Sequence, residues 1–261
     1  MSAPADTLIL IERRGPVLVV TLNRPDKRNA LNDAVVQALG HVFMTLADDI
    51  KSVVLAANGE HFSAGLDLSE LKERDTGEGI RHSMGWTRIF EHIQFGKVPV
   101  VAAMKGAVIG GGLELALATH VRVAESNAYY ALPEGQRGIY VGGGASVRLP
   151  RVIGVDRMMD MMLTGRTYSA AEGMTLGLSQ YLVEPGQCLA KAVALAERIA
   201  QNAGMTNFGV IQALPRIAEV DRHSGFFMES MMAGIAQAEP EAKTRLRAFL
   251  DGKAAKVKPQ G

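Results

Sequence analysis

Lys105-Gly-Ala-Val-Ile-Gly-Gly-Gly-Leu-Glu-Leu-Ala-Leu-Ala-Thr119 is the stretch on which the reading of the fold turns. Before it lies an apolar, β-branched run at 98–103 with the character of a buried strand; after it, Leu113, Leu115, Ala116 and Leu117 have the character of a buried helix. Three consecutive glycines therefore open a helix. The first N–H groups of a helix lack intrahelical partners, the dipole is positive there, and glycine puts no side chain between that backbone and a ligand. Such a place suits negative charge. Glu114 follows within the first turn and sets a carboxylate beside it. Taken alone, Glu114 reads equally well as a complement to the helix dipole.

Composition narrows the class. A chain of 261 residues, 48% hydrophobic and 21% charged, is long enough to bury a substantial core. A net charge of +1 gives no electrostatic case for nucleic acid or an anionic membrane as partner. Cys188 is the only cysteine, which excludes an internal disulfide and a cysteine-based zinc site. None of the six histidines falls in a metal-ligand array, so no metal is expected. The first seven residues resemble no secretory leader, and no apolar run reaches spanning length. A cytoplasmic protein is the expectation.

Outward from the central stretch, the chain alternates strands and helices. Residues 8–12 and Val17–Leu22 form a hairpin across Arg13-Arg-Gly-Pro16. The polar turn Asn23-Arg-Pro-Asp-Lys-Arg-Asn29 leads into helical spacing at Leu31, Val35, Leu39, Phe43 and Leu46. A strand at 52–56, a loop through Leu68 and a helix from Leu68 onward come next. Strands at 120–124 and 128–132 follow, then a second triplet, Gly142-Gly-Gly144, opening a helix through Arg148. A helix at 155–163, a helix at 170–176 capped by Ser169, and a strand at 179–183 complete this part. From Gly186 the pattern is helical, with breaks near Gly204, Gly225 and Pro240. Met158, Met159, Met161 and Met162 read as packing, and Met228, Met231, Met232 and Ile235 as a buried helix face. The tail 252–261 carries three lysines and is expected to be loosely ordered. The whole is an α/β protein: a core over 1–195, and a helical region over 196–261 as a second layer or assembly surface.

Several catalytic signatures are missing. Neither glycine triplet has dinucleotide-binding spacing, and no phosphate loop is present. His61-Phe-Ser63-Ala-Gly65 lacks the first glycine of a nucleophile elbow. Two loops of one type remain, Ser63-Ala-Gly-Leu-Asp67 and Gly110-Gly-Gly112, each between a strand and a helix. Such a pair can aim two backbone N–H donors at one oxygen. Glu134 lies twenty residues beyond Glu114. By itself it reads as a solvated turn residue after Pro133, although the intervening strands can return it to Glu114.

Phe62-Ser-Ala-Gly-Leu-Asp-Leu68, Gly106 with Gly110-Gly-Gly-Leu-Glu114, and Pro133-Glu134 together resemble the enoyl-CoA hydratase, or crotonase, family. The likeness runs from Asn23-Arg-Pro25 through Leu163-Thr-Gly-Arg166 and Gly177-Leu178 to Ala248-Phe-Leu250. It implies a crotonase-like spiral of β-β-α units with a helical C-terminal region. It further implies an acyl-CoA substrate, no separate cofactor (coenzyme A belongs to the substrate), and a homotrimer or dimer of trimers. The implied oxyanion-hole donors are the backbone N–H groups of Leu66 and Gly111, and the implied catalytic carboxylates are Glu114 and Glu134. Implied substrate or CoA contacts are Lys27, Arg28, Ala64, Asp67, Leu68, Gly110 and, from a neighbouring subunit, Phe249.

The presence of both glutamates, where many relatives keep one or neither, points to hydration of an α,β-unsaturated thioester. Its rivals are another hydrolase or isomerase of the family, or a non-catalytic member. Hydration builds enolate charge on the thioester oxygen, and two preorganised donors at a helix N-terminus meet that charge. Two carboxylates in different protonation states can take a proton from water and return one to Cα, with Glu134 the donor to Cα. Leu132-Pro-Glu-Gly-Gln-Arg-Gly-Ile139, with Gly142-Gly-Gly144 and Ser146-Val-Arg-Leu-Pro150, looks most like the methylthioacryloyl-CoA hydratases of dimethylsulfoniopropionate breakdown. That likeness implies hydration of a methylthio-substituted double bond, release of methanethiol and thioester hydrolysis. Arg137 and Tyr140 are then candidates to shape the acyl pocket.

Overall fold

The computed structural model describes residues 8–70 and 73–253. The expectation for the tail lies, beyond Lys253, outside the described residues. Contacts divide the chain after Ala200, inside the helical region that the sequence pattern starts at 196.

In the first unit the strands are β1 (Ile9–Arg14), β2 (Val17–Leu22), β3 (Ser52–Ala57), β4 (Val100–Met104), β5 (Ala107–Ile109), β6 (Val121–Glu125), β7 (Tyr129–Ala131), β8 (Tyr168–Ser169) and β9 (Tyr181–Val183). One sheet has the order β1-β2-β3-β4-β6-β9, antiparallel at the β1–β2 hairpin and parallel elsewhere. A smaller sheet, β5-β7-β8, stands beside it. The short strands β5 and β8 carry too little sequence pattern to be legible from sequence.

Strands β3 and β4 are buried along their whole length, which fits parallel strands covered on both faces. Alternate residues feed two cores. Val53, Leu55, Val100 and Ala102 join the cluster that holds helices α1 (Asp33–Met44) and α2 (Thr76–Gln94). Val54, Ala56, Val101 and Ala103 pack instead with Cys188, Ala192 and Ala196. The central glycines open helix α3 (Gly111–Leu117), placed by β5.

Helix α1 starts where the Asn32 side chain accepts the Val35 N–H. Helix α2 does not start at Leu68: only a short 3-10 turn, Leu68–Glu70, stands there. The start falls at Thr76 because Asp75 and Glu78 make a reciprocal capping box, each side chain taking the other's backbone N–H. Helices α4 (Ala145–Ile153), α5 (Val155–Thr164), α6 (Ala170–Leu176) and α7 (Cys188–Ala200) follow. Ser169 caps α6 as expected, in a box with Glu172. Of the methionine cluster, Met158 and Met161 are buried but Met159 is exposed.

The second unit holds α8 (Gly204–Phe208), a π-helical turn (Gly209–Ala213), α9 (Leu214–Ile217), α10 (Arg222–Ala238) and α11 (Pro240–Leu250). The expected break at Gly225 falls earlier, because Asp221 caps α10 through the His223 and Ser224 N–H groups and leaves Gly225 inside the helix. The expected buried face of α10 is also corrected. Met231 and Ile235 are exposed, as are Phe226 and Phe227, because no element of this unit covers them.

Candidate active site

The first loop is held by backbone. The Leu31 N–H donates to the Gly65 carbonyl at 2.7 Å and the Asp67 N–H to the Leu31 carbonyl at 2.8 Å, a parallel bridge centred on Leu66. The Leu66 N–H stands outside that ladder, with no acceptor among the described residues. Side chains fix the loop further. Asn29, buried at a positive φ of 53°, donates to the carbonyls of Asn58 and His61. The Ser63 hydroxyl donates to the Asn29 carbonyl at 2.8 Å and accepts the Gly65 N–H. Ser63 is thus a fully buried tie, with its proton committed away from the cavity.

The second loop meets the first at contact distance. Gly110 has φ 50° and ψ −122°, a region closed to side chains, and a Cβ there would lie 2.6 Å from Glu134 Oε1. A Cβ on Gly112 would lie 2.6 Å from the Ser63 Cβ, so glycine is what lets α3 approach the Ser63 loop. The Gly111 nitrogen lies 3.4 Å from the position a Gly65 Cβ would take, and the Leu66 nitrogen 3.7 Å from that of a Gly111 Cβ. Gly111 is the first residue of α3, so its N–H has no intrahelical acceptor. The two candidate donors therefore stand side by side, held by different loops.

The glutamates are brought together and kept unalike. Glu114 accepts the Gly143 N–H at 2.8 Å and the Ala145 N–H at 2.9 Å through Oε1, at the start of α4. Burial pushes its carboxyl up, while these hydrogen bonds and the Arg148 guanidinium pull the other way. Glu134 opens the 3-10 turn Glu134–Arg137 and is only 7% exposed, so it is not the solvated turn residue its local sequence suggests. Its Oε2 is buried without a hydrogen-bond partner among the described residues. Burial, reinforced by the Glu114 charge, pushes Glu134 up to about 7. At neutral pH Glu134 thus retains much of its proton.

Both carboxylates, Leu66 and Gly111 line one cavity of about 270 Å³. A smaller recess of about 20 Å³, lined by Ala64, Leu68, Gly110 and Arg137, meets it at Leu66, Glu134 and Ile139. Lys27 and Arg28 are exposed on the adjacent turn, where the Arg28 carbonyl accepts the Ala64 N–H at 2.9 Å. Asp67 is buried, and its carboxylate is taken up by Arg24 at 2.8 Å and by Ser69, which makes it a clasp of the loop rather than a free side chain. Phe249 lies in the second unit and is exposed. A larger hollow, about 350 Å³ around Tyr168, contains neither glutamate, and its Arg166 is already paired with Asp160 and Glu172. Among the described residues no three His, Cys, Asp or Glu side chains are grouped to hold a metal, and no helix is long and apolar enough to cross a membrane.

The sequence pattern of the enoyl-CoA hydratase/isomerase family matches residues 12–259. The chain belongs to this family. It is 32% identical to the short-chain-enoyl-CoA hydratase of Clostridium acetobutylicum over 246 residues, 93% of this chain and 94% of that one. A crystal structure of a provisionally named enoyl-CoA hydratase from Rhodopseudomonas palustris CGA009 is 61% identical, with a TM-score of 0.94 over 98% of this chain and 99% of that one. An enoyl-CoA hydratase structure from Bacillus anthracis is 30% identical, with a TM-score of 0.88 over 94% and 97% of the two chains. The crotonase fold expected from the resemblance is thereby established.

In this member of the enoyl-CoA hydratase/isomerase family, one wall of the cavity is not apparent from the sequence motifs. Gly79, His82, Ser83 and Trp86 line it from α2, and Arg74 lines it just ahead of that helix. His82 Nε2 lies 2.6 Å from Asp33 Oδ1, and the Trp86 indole N–H donates to the same oxygen at 2.8 Å. The available signal was the i, i+3, i+4, i+7 spacing of Gly79, His82, Ser83 and Trp86. Tyr140, a candidate from its sequence, does line this cavity, and Arg137 lines the smaller recess.

Proposed function

We propose that this protein hydrates the conjugated double bond of an α,β-unsaturated acyl-CoA thioester. The observation that carries this is the pairing, in one cavity, of two buried glutamates in unlike hydrogen-bond surroundings with two N–H groups, from separate loops, that have no acceptor among the described residues. The thioester oxygen sits against the Leu66 and Gly111 N–H groups, which take up the enolate charge as it forms. Glu114, fixed by the Gly143 and Ala145 N–H groups, accepts one proton of the attacking water, whose oxygen bonds to Cβ. Glu134 delivers its proton to Cα. A proton then passes from Glu114 to Glu134 and restores both groups. The Lys27–Arg28 turn and the Ala64–Leu68 loop receive the CoA portion, and residues 196–261 serve as the assembly surface of a trimer or paired trimers, with Phe249 reaching a neighbour's CoA.

A second, finer reading takes methylthioacryloyl-CoA as the substrate. What favours it is that the segments carrying that resemblance line the cavity through Glu134, Ile139, Gly142 and Gly143. Water added at Cβ then gives a hemithioacetal, which expels methanethiol. The test is loss of enoyl-thioester absorbance in crotonyl-CoA and methylthioacryloyl-CoA, with free thiol followed in parallel. Loss of activity by a factor of about 10² or more in Glu114→Ala and in Glu134→Ala is expected. No turnover of either substrate by the unaltered protein refutes hydration, and turnover of the methylthio substrate without thiol release refutes the finer reading.

A further inference from the structure

We infer that Arg74 and His82 make one end of the cavity a carboxylate-binding site, so that the acyl group of the substrate ends in an anion. The inference rests on the hydration reading and narrows its substrate class, in opposition to the methylthioacryloyl-CoA reading, whose acyl group ends in a neutral methylthio group. Arg74 has 24% of its side chain exposed and lines the cavity. Its guanidinium carries five N–H donors. Among the described residues none of them makes a hydrogen bond, and the Asp33 carboxylate stands 3.6 Å away. Asp33 is already engaged, since its Oδ1 takes both His82 Nε2 and the Trp86 indole N–H. The second ring nitrogen of His82 has no partner among the described residues. One carboxylate thus serves an imidazole and a guanidinium, and the guanidinium donors make no hydrogen bond among the described residues in the wall of the cavity.

A plain alkyl chain in this place would strip water from those donors and return no hydrogen bond. A carboxylate fits the forked guanidinium in a two-point pair, with His82 beside it. The position matters as well as the chemistry. The recess lined by Ala64, Leu68 and Gly110, next to the Lys27–Arg28 turn, includes neither Arg74 nor His82 and meets the larger cavity at Leu66, Glu134 and Ile139. Arg74 and His82 therefore lie beyond the reacting groups from the turn assigned to CoA, where the far end of an acyl chain arrives.

The test compares hydration of four CoA thioesters: a 2-enoyl thioester ending in a carboxylate, its methyl ester, crotonyl-CoA and methylthioacryloyl-CoA. The unaltered protein is expected to favour the carboxylate over its methyl ester by about tenfold or more in kcat/KM. Arg74→Gln should reduce that ratio about tenfold or more and His82→Gln by less, with Arg74→Lys in between because charge remains without the fork. The ratio cancels any general loss of folded enzyme. An equal rise in KM for all four thioesters would make Arg74 a CoA contact and overturn the inference. So would a preference of the unaltered protein for the methyl ester or the methylthio substrate. If no thioester is turned over, the hydration reading fails by itself. Calorimetry then decides the carboxylate site, which is overturned if Arg74→Gln leaves the affinity for the carboxylate-ended thioester unchanged.

Discussion

Replacing Glu134 with glutamine should cost catalysis and yet raise stability at neutral pH. Glu134 is 7% exposed, its Oε2 has no partner among the described residues, and its carboxyl is pushed from 4.5 to about 7 by burial and by Glu114. A tenfold change in proton affinity between the folded and unfolded chain corresponds to about 1.4 kcal/mol. With some screening by solvent entering the cavity, the ionised folded form carries a penalty of about 2–3 kcal/mol. Below 4.5 the folded and unfolded chains both hold the proton, and Glu134 contributes nothing to the pH dependence. Between 4.5 and about 7 the unfolded chain releases it while the folded chain keeps it, so stability falls as pH rises; above about 7 the loss is complete. Glutamine has the same shape and does not titrate.

The stability of Glu134→Gln relative to the unaltered protein should therefore rise by about 2–3 kcal/mol between about pH 5 and about pH 8. Its buried amide adds only an offset that does not change with pH. Urea unfolding midpoints across that range, at one protein concentration, measure the slope directly. A difference that stays constant with pH, or that falls, would refute the assignment of a raised pKa to Glu134.

Three further outcomes follow from the same geometry. The pH profile of kcat/KM for crotonyl-CoA should fall on its basic side near 7, where Glu134 loses its proton, and a profile flat through that region would count against Glu134 as the donor to Cα. Gly110→Ala forces a side chain into φ 50°, ψ −122° and against Glu134 Oε1, so a destabilisation of about 1–3 kcal/mol with a loss of activity of about a hundredfold is expected, read from thermal unfolding and enoyl-thioester kinetics. Ser63→Ala removes the hydroxyl that ties Gly65 to Asn29; it should cost about 1–3 kcal/mol of stability while kcat stays within about tenfold of the unaltered protein, whereas abolished turnover by a fully folded variant would show Ser63 to be a reacting group.

Local pattern carried much of this molecule. The apolar runs of β3 and β4, the Ser169 cap, and the glycine triplet before Glu114 each express a requirement confined to a few neighbouring residues. For that reason most of the strand and helix order and the two loops were legible without coordinates, whereas β5, β8 and the start of α2 at Thr76 were not, and Glu134 entered only through the family resemblance. Burial was legible only where periodicity is strong. The Met228–Ile235 stripe of α10 has a helical period, but period alone cannot say whether anything covers it.

Some properties belong to no segment and were decided by the tertiary structure alone. The sequence by itself determined the fold family, because the glycines and glutamates that mark it sit in short contiguous motifs, and through that resemblance it named Glu114 and Glu134 as candidates. It could not determine that Leu31 brackets Leu66, that a Gly110 Cβ would strike Glu134, or that Asp33 gathers His82, Trp86 and Arg74 along one cavity wall. Nor could it determine the rise of Glu134 to about 7, which comes from burial and from Glu114, twenty residues away in the chain. Charge, desolvation and close contact act through space, so the chemistry of this cavity exists only once β5, β7 and helices α1 to α4 have packed around it.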